Sequence, residues 1–199
     1  MRPLSIPHTE SRALNLANKI SILRIVLIPF FIASLLYCTP ATSHLRFVAA
    51  IVFGLSVFTD AADGYIARIY RQRTRLGTFL DPIADKLLLV SAFGTLAALD
   101  TLPTDLRLPA WLSLIVISRD ILIILGISVI YVINEGRLEI QPSWLGKITT
   151  FLQMLTILSV LLQMLAIQWL WFTTAALTLL SGIGYLRIGT RLLNNHAGA

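Results

Sequence analysis

Apolar residues run along this chain in six long blocks separated by short polar segments, at about 20–38, 46–70, 79–99, 108–133, 146–166 and 168–190. Each block approaches or exceeds the roughly 20 residues that a helix needs to cross a bilayer. They predict an all-α membrane protein with six transmembrane helices. Ahead of the first block, "SRALNLANKI" sets Ala13, Leu14, Leu16, Ala17 and Ile20 against Arg12, Asn15, Asn18 and Lys19. That pattern fits an N-terminal interfacial amphipathic helix; a plain extension of the first span would carry the same residues. The expected organisation is a single domain over residues 1–199. Residues 1–19 form a cytoplasmic or interfacial segment, 20–190 the six-helix bundle and 191–199 a cytoplasmic tail.

Composition sharpens this reading. The 199 residues are 56% hydrophobic and 13% charged, and a soluble domain of that length would need far more polar surface. The first 20 residues include Arg2, Pro3, Pro7, His8, Glu10, Arg12 and Lys19, so no signal peptide is expected. Cys38 is the only cysteine, which excludes an internal disulfide framework. The net charge of +6 suits a protein facing anionic headgroups. The basic residues flank apolar spans instead of forming a soluble patch, which argues against nucleic acid as a partner.

Lysine and arginine sort the connections into two sets. Arg2, Arg12 and Lys19 precede the first span; Arg68, Arg71, Arg73 and Arg75 surround the second connection; Arg137 and Lys147 mark the fourth, and Arg191 the tail. The alternate connections hold Arg46, then Arg107 beside Asp100 and Asp105, then no basic residue. The positive-inside rule therefore puts both termini and the four-arginine connection in the cytoplasm. Trp111, Trp169 and Trp171 fall near the opposite boundary, where aromatic anchors are expected. Gly182 and Gly184 inside the last span predict close helix packing.

Four acids disturb the apolar pattern. Asp60 and Asp63 lie in the cytoplasmic half of the second span, and Asp81 and Asp85 in the first turns of the third. At 100° per residue, Asp60, Asp63, Gly64 and Ala67 share one face, with Arg68 at its edge. Asp81 and Asp85 share another face, from which Lys86 points away. Each charged aspartate within a span costs roughly 2.5–3.5 kcal/mol, so four cost on the order of 10. Carboxylates paired only for structure would not need four like charges in one place. Bound divalent cations explain the cluster, and an all-oxygen ligand set favours two ions of Mg2+ or Mn2+ over zinc. Such a site beside a membrane surface suits phosphoryl or phosphatidyl transfer.

From Asp60 the spacing reads D-x2-D-G-x2-A-R-x8-G-x3-D-x3-D, with Asp63, Gly64, Ala67, Arg68, Gly77, Asp81 and Asp85 at the later fixed positions. This resembles the signature of the CDP-alcohol phosphotransferases. "NKISILRIVLIPFFI", "VISRD" and "LGKITTFLQM" further resemble the bacterial phosphatidylglycerophosphate synthases of that family. The resemblance implies a CDP-diacylglycerol donor, an alcohol acceptor, release of CMP and a homodimer among membrane lipids in the bacterial inner membrane. By the same resemblance Asp60, Asp63, Asp81 and Asp85 bind the metals, and Asp85 is also the catalytic base. Gly64, Arg68, Thr74 and Gly77 would surround the cytidine diphosphate. Gly77 as an ordinary loop glycine and Thr74 as an ordinary loop threonine are the plain alternatives.

The acceptor side rests on Arg119 and Lys147. Arg119 and Asp120 interrupt the fourth span, and ionisable residues there are functional candidates; an interhelical ion pair would also account for them. Lys147 opens the fifth span, where it could hold an acceptor phosphate or snorkel to the interface. Arg24, one turn into the first span, is expected to snorkel to the cytoplasmic phosphate layer, with contact to the active cavity as the alternative. The resemblance of the first and fifth spans to the phosphatidylglycerophosphate synthases implies glycerol 3-phosphate as acceptor. "ISRD" followed by "ILIILG" resembles the cardiolipin synthases, whose acceptor is phosphatidylglycerol. A divalent-cation transporter and a lipid-binding scaffold are the competing classes. A permeation path would need polar groups across the whole bilayer, whereas these acids cluster at one side.

Overall fold

The structure, a computed structural model, describes residues 16–70, 75–100, 104, 107–133, 144–164 and 167–197. Within these it describes the side chains of residues 22–59, 83–100, 104, 107–126, 128, 144–164, 168–185 and 187. The described residues form six α-helices and no strand: α1 (Leu16–Leu36), α2 (Leu45–Tyr70), α3 (Arg75–Ala98), α4 (Ala110–Ile133), α5 (Trp144–Leu161) and α6 (Ile167–Ala197). A 3-10 turn at Pro40–Thr42 joins α1 to α2. There Thr42 Oγ1 donates to the Tyr37 carbonyl at 2.6 Å and accepts from the Thr39 amide at 3.0 Å.

The apolar blocks locate the helices, while the helix ends follow the backbone. α1 begins at Leu16 and runs unbroken into the first span, so residues 16–19 extend that helix; the rest of the expected interfacial segment lies outside the described residues. α3 opens at Arg75, before its apolar block starts, which puts Gly77 inside a helix instead of a loop. α6 continues to Ala197, so most of the expected tail is helical. α5 stops at Leu161, short of its block. It ends because the Met164 amide reaches the Ser159 carbonyl (2.9 Å) and the Gln163 amide the Val160 carbonyl (3.0 Å). That is a Schellman closure, with Gln163 at φ 52° in the left-handed region it requires.

α1 packs on both α2 and α3. α3, α4, α6 and α5 close a ring of successive contacts, and α2 also reaches α5. Phe31 and Phe53, with ring centroids 5.9 Å apart, fill the α1–α2 interface. Leu88, Leu89, Phe93 and Leu96 carry α3 into the same core with Leu112 and Ile157. Ser113 Oγ donates to the Phe93 carbonyl at 3.1 Å, and Trp111 stacks on Phe172 at 5.6 Å between α4 and α6.

Polarity is distributed the opposite way from a water-soluble core. Phe30, Phe58, Leu114, Phe151 and Phe172 are exposed on the outside. Thr149, Gln153 and Thr156 of α5 are buried against Thr174, Thr178 and Ser181 of α6. Thr156 and Thr174 hydroxyls bond at 2.9 Å, Thr149 Oγ1 reaches the Leu177 carbonyl at 3.2 Å and Gln153 Nε2 reaches Thr178 Oγ1 at 3.4 Å. Polar seams of this kind join helices where no water competes. Among the described residues one helix, Trp144–Leu161, is long and apolar enough to cross a membrane; Ile22–Leu36 and Leu45–Thr59 are shorter apolar helices.

Packing corrects three smaller expectations. Trp171 is partly buried against the core, while Trp111 and Trp169 are exposed. A Cβ at Gly182 would lie 3.6 Å from Arg119 Cγ, an ordinary contact, and one at Gly184 would meet no described atom within 4 Å. Close helix approach within the chain therefore does not require either glycine. Arg24 is 2% exposed, inside the bundle, and does not snorkel.

Candidate functional site

The eight motif positions fall on two successive helices. Asp60, Asp63, Gly64, Ala67 and Arg68 lie in α2, and Gly77, Asp81 and Asp85 in α3. Asp60 is ten residues before Tyr70, and Asp85 ten after Arg75, about 15 Å along each helix. Asp63 and Asp81 sit about 10 Å along from the same connection. Counted in residues from the α2–α3 connection, the two acid pairs lie about equally far along their own helices. The side chains of Asp60, Asp63, Arg68 and Asp81, and all of Thr74, lie outside the described residues. Asp85 is half-buried, between buried Ala84 and buried Lys86.

Lys86 leads away from the acids into a charged network. Its ammonium donates to Asp120 Oδ1 of α4 at 3.1 Å and to Thr150 Oγ1 of α5 at 3.3 Å. Arg119 Nη1 donates to the same Asp120 oxygen at 2.6 Å, and Arg119 Nη2 donates to Ser181 Oγ of α6 at 2.8 Å. The Arg119 guanidinium carbon also stands 5.4 Å from the ring centroid of Tyr185. Lys86, Arg119 and Asp120 are all buried. One carboxylate thus serves two cations, and the network joins α3, α4, α5 and α6. Among the described residues, Asp120 Oδ2 and Arg119 Nε have no hydrogen-bond partner.

This arrangement bears on the acceptor residues read from sequence. Both terminal nitrogens of Arg119 are engaged within the bundle, so Arg119 and Asp120 form part of an ion-paired helix junction. Lys147 is exposed at the start of α5, with Nζ 5.8 Å from the Trp144 ring centroid. No described contact brings Arg119 and Lys147 together. On the helical wheel Lys86 points away from the face of Asp81 and Asp85, and its contacts are with α4 and α5. Its position was informative. Lys86, Leu89, Phe93 and Leu96 form one stripe at helical spacing, and all four are buried. A lysine on such a stripe must find a buried partner.

A helical bundle with an apolar exterior and buried ion pairs, carrying two pairs of acids on consecutive helices, defines the class of protein. The chain belongs to the CDP-alcohol phosphatidyltransferase family, whose family model matches residues 14–180 and thus the whole acid motif. Among similar proteins, a probable phosphatidylglycerophosphate synthase of Mycobacterium tuberculosis is 37% identical over 148 residues, 74% of this chain and 66% of that protein. The chain thus spans about two thirds of the mycobacterial relative. A CDP-diacylglycerol–glycerol-3-phosphate 3-phosphatidyltransferase of Haemophilus influenzae is 34% identical over 191 residues, covering 91% of this chain and 97% of the relative. The Escherichia coli protein of that name is 33% identical over 181 residues, covering 86% and 93%.

Proposed function

We infer that the protein transfers a phosphatidyl group from CDP-diacylglycerol to glycerol 3-phosphate, giving phosphatidylglycerophosphate and CMP. The observation that carries this reading is the near full-length similarity to 3-phosphatidyltransferases, with every fixed motif residue in place. A cation transporter has no comparable support, since the family is one of transferases. The cardiolipin synthase alternative rests on "ISRD" and the residues after it alone. The apolar exterior supports a membrane-embedded bundle; six spans rest on the apolar blocks of the sequence, both termini and the acids toward the cytoplasm on the distribution of lysine and arginine, and the bacterial inner membrane on the family resemblance. The homodimer rests on the family resemblance.

The donor set fits hard divalent cations. The acids recur about equally far along α2 and α3 from their connection, and Lys86, the cation next along α3, is engaged by Asp120 on another face. It is not the counter-charge for Asp85. Asp60, Asp63, Asp81 and Asp85 would hold two ions of Mg2+ or Mn2+. When bound, these supply positive charge that neutralises the acids and polarises the donor's diphosphate. Gly64, Arg68, Thr74 and Gly77 would surround the cytidine diphosphate. Asp85 would take the proton from the attacking glycerol hydroxyl. That oxygen bonds to the phosphatidyl phosphorus as the bond from this phosphorus to the CMP oxygen breaks, and CMP leaves with the electron pair. Lys147, being exposed, is available to an acceptor phosphate; Arg119 would have to exchange one of its present bonds to assist.

Purified protein offered CDP-diacylglycerol with either glycerol 3-phosphate or phosphatidylglycerol tests the assignment. Phosphatidylglycerophosphate identified by mass from the first mixture is the expected product. Cardiolipin from the second alone, or cation flux in vesicles without CMP, would overturn it.

A further inference from the structure

We propose that Lys86 is a positioning residue: by tying α3 to α4 and α5 it sets the rotation of the helix that presents Asp81 and Asp85, and so the strength with which the site holds its divalent cations. The inference rests on the reading of those aspartates as metal ligands.

Charge balance separates this role from simple neutralisation. Asp120 already has a counter-charge in Arg119, its neighbour on α4, at 2.6 Å. Lys86 adds a second cation to a carboxylate that one cation satisfies, on a stripe where an apolar side chain would pack. What Lys86 adds is a connection. It ion-pairs α3 with α4, and it stands next to Asp85 in the chain. Its second bond, to Thr150, fixes the ammonium from another direction.

The apolar contacts of α3 cannot do the same work. Among the described side chains of α3, the buried packing is made by Ala84, Leu88, Leu89 and Phe93. Apolar burial is non-directional and tolerates a small roll of one helix on another, whereas a charge-assisted hydrogen bond has a preferred line. A carboxyl group carried about 6 Å from the helix axis moves by about 2 Å when the helix rolls by about 20°. A misplacement of about 1 Å is enough to impair a preorganised site.

The test compares Lys86→Met and Lys86→Arg in the purified full-length protein, with Mn2+ binding read by electron paramagnetic resonance in the absence of substrate. Lys86→Met should retain its melting temperature to within a few degrees, because Asp120 keeps Arg119. Its Mn2+ dissociation constant should rise at least about 5-fold and kcat fall at least about 10-fold, with both KM values within about 2-fold of the parent. Lys86→Arg, which can reach both Asp120 and Thr150, should restore most of the affinity and rate. Parental Mn2+ affinity and turnover in Lys86→Met would overturn the proposal. So would a large rise in KM without a change in Mn2+ affinity, which would make Lys86 a substrate contact. If Lys86→Met does not fold, Thr150→Val, which removes the second anchor of the Lys86 ammonium and strands no charge, should weaken Mn2+ binding in the same direction; parental affinity there overturns the proposal. Asp85→Asn separates the two levels. If it binds Mn2+ as the parent does, the metal-site reading fails. If it loses Mn2+ while Lys86→Met does not, only the positioning role fails.

Discussion

Lys86 and Asp120 meet across the α3–α4 interface at 3.1 Å, with side chains 10% and 0% exposed. Because Arg119 holds the same carboxylate at 2.6 Å, the two ends of this pair are not equivalent. Removing the acid strands two buried cations; removing the lysine leaves a neutral Asp120–Arg119 pair. Asp120→Ala is therefore expected to destabilise the protein by about 3–5 kcal/mol, and Lys86→Met by no more than about 1–2. Thermal unfolding of the two variants in the same detergent measures the difference. Equal losses would mean that Arg119 does not compensate Asp120 when Lys86 is gone.

Asp85→Asn keeps the shape and hydrogen-bonding capacity of the side chain while removing its basicity and charge. CMP release should fall by about 10²–10⁴-fold, the range that a positioned general base supplies, with extraction and melting behaviour retained. Turnover within a few-fold of the parent would take the base role from Asp85.

Chelation should abolish CMP release, and added Mg2+ or Mn2+ should restore it, because four clustered carboxylates cannot hold an anionic diphosphate without cations. The check is an EDTA titration with add-back. Release that persists after exhaustive chelation would contradict a carboxylate metal site.

Gln163 occupies a left-handed backbone conformation at the end of α5. An L side chain there costs roughly 1–2 kcal/mol, part of which glycine would recover against its greater freedom in the unfolded chain. Gln163→Gly is expected to stabilise the protein by about 0.5–1 kcal/mol, a rise of roughly 2–4 °C in melting temperature for a chain of this size. A lower melting temperature would show that contacts of the Gln163 side chain outweigh the backbone gain.

The sequence by itself determined which segments are helical and which residues are the candidates for the chemistry. Long apolar blocks can satisfy their backbone only as helices where water is absent, and the described helices coincide with those blocks in their interiors. Acids on a helix at spacings of three and four residues share a face whatever the rest of the bundle does. The motif from Asp60 to Asp85 could therefore be read before any contact was known. Helix ends were less legible. Arg75 and Gly77 join α3 because their carbonyls accept from amides four residues on, and the residues after Thr190 join α6 because their amides reach carbonyls four residues back; mean apolarity registers neither.

Only the tertiary structure decided where the remaining charges go. Lys86, Arg24 and Arg119 look alike in sequence, each a cation inside an apolar stretch, and each had a plausible route to the surface. Packing closed those routes by burying all three, and it set Asp120 between Lys86 and Arg119. Periodicity gives the direction in which a side chain leaves its own helix. Which helix it meets depends on the order in which α3, α4, α5 and α6 close around one another, and no local pattern in the chain encodes that order.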